Sequence, residues 1–366
     1  MESLLLRRVR VVGDGRLVDV AIVGGRVAAV GRALLSLPGV AEIDLEERWL
    51  MPGLWDAHVH FTQWARHRAR VDLSGTTSAA EAASRLVAAG VASGFLVGVG
   101  FQDALWPDAP AASVLDEALA GVGLGGAAGG TPALAISNDL HSVWLNAAAA
   151  AAVGAPYAGL LREADAFNAQ IALGGLASLD PATDDAAIRA AVAAASARGV
   201  VGIRDLEMAD NPSVWQGRVA AGIDALRVSA CIYEQHLAEA DARGWATGSL
   251  IPGTGGLATM GALKIISDGS LNTRTALTHE PYGTEGSVGH AANTPVELVA
   301  LLAGAKERNL EVALHAIGDL AVTQALDAFE ATGARGTIAR ATGARRGLRA
   351  VCAARHCSVR AAAACD

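Results

Sequence analysis

A chain of 366 residues, 52% of them hydrophobic, can bury one large α/β barrel or two medium domains, so size excludes little. A net charge of −8 argues against a general nucleic-acid binder, which needs a basic face to displace counterions from phosphates, and leaves a small molecule as the expected partner. The hydropathy comes mostly from alanine, and no uninterrupted apolar run approaches the roughly 20 residues of a membrane-spanning helix, so no membrane partner is expected.

The N-terminus, "MESLLLRRVRVV", has arginines directly after a very short apolar patch and lacks a signal-peptide core. A cytoplasmic location is expected. The cysteines agree with that: only Cys231 lies in the main body, while Cys352, Cys357 and Cys365 crowd the end, which is no disulfide framework. Residues 4–50 alternate β-branched and polar residues between glycines and read as short strands of a small β-domain. Beyond Pro52 the texture changes to apolar strands alternating with alanine-rich helices, the pattern of a parallel α/β fold.

At that transition, "MPGLWDAHVHF" (51–61) sets His58 and His60 one residue apart. In an extended strand both imidazoles project to one side, a natural two-ligand start for zinc. The alternative is two ordinary histidines on a half-buried strand. Farther on, "GVGLGGAAGG" (121–130) has no phosphate-loop lysine and reads as plain loop. "DDAAIRAAVAAASARG" predicts a helix closed by Gly199, and "VVGIRD" a strand ending in Asp205. Thr294 with Pro295 predicts a capped helix through Asn309, followed by the strand of "LEVALHAIGD". In barrels of this kind chemistry collects at the carboxyl ends of strands, where "GLWDAHVH", "VVGIRD", "ALKIISDG" and "VALHAIGD" all present polar groups. Basic residues are nearly all arginine. The only lysines are Lys264 and Lys306, and Lys264 sits inside the apolar "ALKIIS", either snorkelling from a strand edge or serving a site.

The series "MPGLWDAHVHF", "SNDLHSVWLN" (137–146), "LLRE" (160–163), "GVVGIRD" (199–205), "ALKIISDGSLNTRTA" (262–276) and "LHAIGDLAVTQALDAFE" (314–330) resembles the amidohydrolase superfamily, in its family 3 or YtcJ-like branch. The resemblance implies an α/β fold: a metal-dependent-hydrolase TIM barrel over 52–338, preceded over 1–51 by part of a small β-sandwich domain. It implies a divalent metal, zinc above all, as one or two ions held by His58, His60, Lys264 and His315. Lys264, carboxylated in related enzymes, and His315 would also serve catalysis. Asp139, His141, Trp144, Asp268 and Arg274 match positions expected to contact substrate, with Asn146 and Ser270 beside them. Asp319 is expected to cap a helix, and His67, His236, His279 and His290 are read as structural. The expected reaction is attack of activated water on an amide-type, non-peptide C–N bond of a small molecule, in a chain compatible with homo-oligomerisation.

The resemblance stops after "GTI" (336–338). A sixth strand ending in a ligand histidine, and later an aspartate acting as ligand and base, should follow. Instead the chain reads "ARATGARRGLRAVCAARHCSVRAAAACD". Codons GCA CGC GCA ACT GGT GCA CGC for Ala339–Arg345, shifted by one base with GA restored in front, spell E-H-A-Q-L-V-H, and "RHCSVRA" likewise shifts to G-I-A-A-S-V-Q. The expectation is that 339–366 is an out-of-frame or disordered tail, that the barrel is incomplete with an open edge, and that a non-catalytic fragment is the alternative to an enzyme.

Overall fold

The computed structural model describes residues 3–36, 38–90, 94–125, 130–138, 142–177, 181–269, 271, 274–283, 286–339 and 357–360. The chain divides into two compact units, Met1–Leu54 and Trp55–Asp366.

The smaller unit holds β1 (Leu4–Val11), β2 (Leu17–Val23), β3 (Arg26–Gly31), β4 (Ala41–Asp44) and β5 (Trp49–Leu50). They form one sheet in the order β3-β2-β1-β4, with β5 also paired to β1. Leu6, Val9 and Val20 make its small core. Asp19 is buried and satisfied: it accepts from the Arg8 amide (3.0 Å), the Leu34 amide (3.1 Å) and the Arg7 guanidinium (2.8 Å). The part of a β-sandwich domain expected here is, among the described residues of this unit, one sheet, with Val27, Val30 and Trp49 exposed.

The larger unit contains, in chain order, β6 (Leu54–Val59), α1 (Phe61–Arg68), β7 (Val71–Asp72), α2 (Ala79–Ala88), β8 (Leu96–Phe101), α3 (Ala112–Gly121), β9 (Ala133–Ser137), β10 (Ser142–Leu145), α4 (Ala147–Val153), β11 (Gly159–Arg162), α5 (Glu163–Ala177), α6 (Pro181–Ala197) and β12 (Val200–Asp205). It continues through α7 (Asn211–Ala220), β13 (Arg227–Ile232), α8 (Leu237–Ala242), β14 (Ala258–Ile266), α9 (Pro295–Glu307), β15 (Val312–His315), α10 (Asp319–Thr332), β16 (Gly336–Ala339) and β17 (Cys357–Arg360). Local signals set several of these boundaries. Gly199, at φ +79°, follows α6, and Thr294 closes a reciprocal capping box with Glu297 ahead of Pro295 at the start of α9.

Seven strands form one sheet in the order β17-β16-β15-β14-β13-β12-β6. From β12 to β17 all pairings are parallel. At the β6 edge, the Leu206 amide donates to the Val59 carbonyl (2.7 Å), so the carboxyl ends of β6 and β12 meet. The sheet is curled. Arg204 on β12 reaches Glu311 Oε2 (3.4 Å), just ahead of β15, and Thr337 Oγ1 (3.5 Å) on β16. In a flat sheet β12 and β16 would stand about 19 Å apart at ~4.8 Å per strand, beyond the reach of an arginine side chain. The outer face packs on helices through a cluster that includes Leu263, Ile265, Leu298, Leu302, Leu314 and Phe329.

Among the described residues β6 and β17 are not paired, so the curl stays open. The region after residue 338, expected to carry no regular element, contributes the strand Cys357–Arg360 alongside Gly336–Ala339. A second sheet, β11-β10-β9-β8-β7, joins parallel β7–β9 to antiparallel β10 and β11. Among the described residues no helix is long and apolar enough to cross a membrane.

Candidate functional site

Lys264 faces the inside of the curl because of a bulge. Ala230 pairs with Met260, but Ile232 pairs with Leu263, so β14 carries one extra residue. The insertion shifts the alternation: Leu263 and Ile265 point to the helices, whereas Ala262 packs inside against Leu206, Cys231 and Ala313. Lys264 shares the phase of Ala262 and is 4% exposed. Gly261 makes the bulge possible, since a Cβ there would lie 2.8 Å from Cys231 Sγ and from the backbone beside it. The displaced Ala262 amide donates to Cys231 Sγ at 3.3 Å. Burial pushes the Cys231 thiol up to about 11, keeping it a neutral acceptor.

His58 lies near the end of β6 and His60 just past it. Val59 packs against the outer cluster of Phe61, Ile203 and Trp215, which leaves His58 to the inner face. The two imidazole centroids are 5.8 Å apart with planes tilted by 60°, as their shared side predicts. The segment is braced from β12. Asp205 is fully buried, and its carboxylate accepts from the Phe61 amide (3.2 Å), the Glu207 amide (3.0 Å) and Trp215 Nε1 (2.7 Å). Burial raises the Asp205 pKa above its ordinary value, against the pull of these donors. Glu207 accepts from both the backbone and the side chain of Gln63 (3.0 and 2.8 Å).

His315 ends β15, in register with Ile266 and Ala339. Val312 and Leu314 face the outer cluster, so Ala313 and His315 face inward with Lys264. Its Nε2 lies 3.1 Å from the Gly269 carbonyl oxygen and 3.7 Å from Asp268 Oδ1. A carbonyl only accepts, so Nε2 carries a proton in this arrangement.

Asp268, expected to contact substrate, is 3% exposed and committed to backbone: it accepts from the amides of Ile317 (3.0 Å), Gly318 (2.8 Å) and Leu277 (3.0 Å). It ties the loops after β14 and β15 together. Trp144, expected in a pocket wall, is instead fully buried against Phe101 and Trp106 and donates Nε1 to the Ala111 carbonyl (2.9 Å). Asn146 caps α4 through the Ala149 amide (2.9 Å) and also bonds Ala133, Asp116 and Thr131. Trp144 lies on β10, inside its sheet with all four strand residues buried, and Asn146 follows as the N-cap of α4. Arg274 sits in an exposed turn at φ +55°. Asp139, His141 and Ser270 lie outside the described residues. Asp319, expected to cap a helix, is instead the first residue of α10, whose N-cap is Gly318 with no side-chain cap bond; its Oδ1 accepts from the His279 and Leu320 amides (both 2.9 Å).

The amidohydrolase family profile matches residues 41–364, running through the tail region as well. The chain belongs to the amidohydrolase family. Among curated proteins it is similar to YtcJ of Bacillus subtilis (strain 168), named as an amidohydrolase, with 46% identity over 71 residues, 19% of this chain and 13% of that protein. It is also similar to the dihydroorotase of Mycobacterium leprae (strain TN), with 39% identity over 79 residues, 21% of this chain and 18% of that protein. These matches thus span less than a fifth of either curated relative. The fold is that of uncharacterized metal-dependent hydrolases from Pyrococcus horikoshii OT3 (TM-score 0.79) and Pyrococcus furiosus (0.80). Each is 22% identical, and the alignments cover 98% of this chain and 74% and 76% of theirs.

Does this family member have the donors for a metal? His58 and His60 fit, as two imidazoles on one side at one strand end. Among the described residues no group of three or more His, Cys, Asp or Glu side chains converges on one point, and His315 is turned toward Gly269. The braces Asp205 and Glu207 were not anticipated as site residues. The strand-end acid of "VVGIRD" with an acid two residues on was the available signal.

Proposed function

We propose that this amidohydrolase-family protein is a divalent-metal-dependent hydrolase that cleaves an amide-type, non-peptide C–N bond in a small molecule. The observation that supports it most is the common phase of His58, Lys264 and His315 on the inner face of one curled sheet. His58 and His60 would hold the metal first, with Lys264, as a carboxylated lysine supplying an oxygen, and His315 completing the set. A divalent ion such as zinc, one or two per site, supplies a water of lowered pKa and polarises a carbonyl. Asp205 and Glu207 keep the His58–His60 segment in place through Phe61 and Gln63. Left uncarboxylated, Lys264 would not ligate but would offer positive charge to an oxygen gaining electrons, and His315 offers Nδ1 to a ligand or a proton.

The test is turnover by the zinc-supplemented protein of N-acyl amines and formamides. Hydrolysis that falls at least 100-fold in His58→Ala supports the proposal. No hydrolysis, or equal rates in the variant, contradicts it.

The alternative is a non-catalytic fragment. It is favoured by the open β6–β17 path and by Ala339 beside His315, at the strand where the resemblance expects a histidine. A metal-free, aggregating product would support it. The out-of-frame reading of 339–366 belongs to this alternative, and sequencing the gene across codons 336–342 decides it. A cytoplasmic, homo-oligomeric enzyme with a small amide-type substrate completes the proposal.

A further inference from the structure

The second sheet carries a cleft of its own, of about 340 Å³, at the carboxyl ends of β7, β8 and β9. In α/β sheets that is where ligands enter, and the volume lies near the lower end of small-molecule sites. Its lining includes His67, Arg68, Arg70, Asp72, Ser74 and Asn138. Gly100 forms part of the wall: it sits at φ +90°, and a Cβ there would come within 2.5 Å of Ser74 Oγ.

The half-buried guanidinium of Arg70 sets the chemistry. Among the described residues no acid pairs with it; burial and the positive charge of Arg66 both push its pKa down. A guanidinium removed from water without an anion is unfavourable, which marks it as awaiting one. Its neighbours limit the charge of that anion. Arg68 is engaged over the Trp64 ring at 5.2 Å. Burial and Arg70 lower the pKa of His67, so at neutral pH it contributes a hydrogen bond rather than a cation. Asp72 brings a negative charge, its Oδ1 accepting from the Ser74 amide at 2.9 Å. Arg68 and Arg70 bring two positive charges and Asp72 one negative, so the net charge among the described lining is one, and the donor fork of Arg70 suits a single planar negative group better than a dianion.

We infer that the cleft at the carboxyl ends of β7–β9 binds the carboxylate of a small organic monoanion through Arg70. This does not depend on the hydrolase reading, since it needs neither metal nor turnover.

The experiment titrates the full chain with benzoate, neutral benzamide and inorganic phosphate, with binding read by saturation-transfer NMR. Benzoate is expected to bind at least tenfold more tightly than either of the others. Arg70→Gln should weaken benzoate at least tenfold, Arg70→Lys less, and His58→Ala not at all. The melting temperature of Arg70→Gln without ligand should stay the same or rise, because an uncompensated charge is removed. Equal benzoate and benzamide binding, benzoate binding indifferent to Arg70→Gln, or a fall in the Arg70→Gln melting temperature would each overturn the inference.

Discussion

In the seven-stranded sheet, Lys264 and His315 sit on an inner face whose opposite side packs on helices, and the curl is left open between β6 and β17. In the five-stranded sheet, Trp144 and Asn146 come from an equally polar-looking sequence block, yet β10 is buried throughout and both residues serve packing and capping. The ligand-facing groups of that sheet, Arg70 and His67, come from the turn before β7 and the end of α1. A polar residue at a strand end is thus a site candidate only if its phase turns it away from the helical layer.

Three substitutions sharpen this contrast, the first with the largest expected effect. Asp268→Ala leaves the buried amides of Leu277, Ile317 and Gly318 without their acceptor, at about 1–3 kcal/mol each. Urea unfolding should show a loss of roughly 4 kcal/mol, with His315 displaced alongside. A loss below roughly 1 kcal/mol would return Asp268 to the substrate-contact role expected from sequence. Trp144→Phe removes the bond to Ala111 and part of a ring from a packed core, for about 1–2 kcal/mol. Kinetics of the variant should show an unchanged KM; a rise of tenfold or more would put Trp144 back in a pocket wall.

The smallest effect is a pH dependence from Cys231. Its folded thiol, at about 11, is harder to ionise than the unfolded thiol near 9. The associated stability is complete below about pH 9 and is lost as pH rises toward 11. Thermal melts of Cys231→Ser, which keeps an acceptor for the Ala262 amide, should decline less steeply over that window. Identical slopes would contradict the burial of the thiol.

How much of this was legible in the sequence depends on the range of the interaction. The helix closed by Gly199, the Thr294–Pro295 cap and the strands ending in Asp205 and His315 rest on neighbours within a turn, and each is present. The β14 bulge depends on the register of β13, which no single strand encodes, so Lys264 could be placed near a site but not given a face. Asp205 and Glu207 act on residues 144 positions away. The burial of Trp144 is not legible in sequence because a strand buried on both sides has no alternation to read. Arg70 carries no signal in the sequence because its distinguishing feature, the lack of a paired acid among the described residues, is a property of the folded surroundings.

Metal stoichiometry tests the central claim most directly, by elemental analysis of the purified full chain after zinc loading and dialysis. The account predicts at least one zinc per chain in the wild type and less than a tenth of that in His58→Ala and in His60→Ala. Zinc content that is absent in the wild type, or unchanged in both variants, would contradict it.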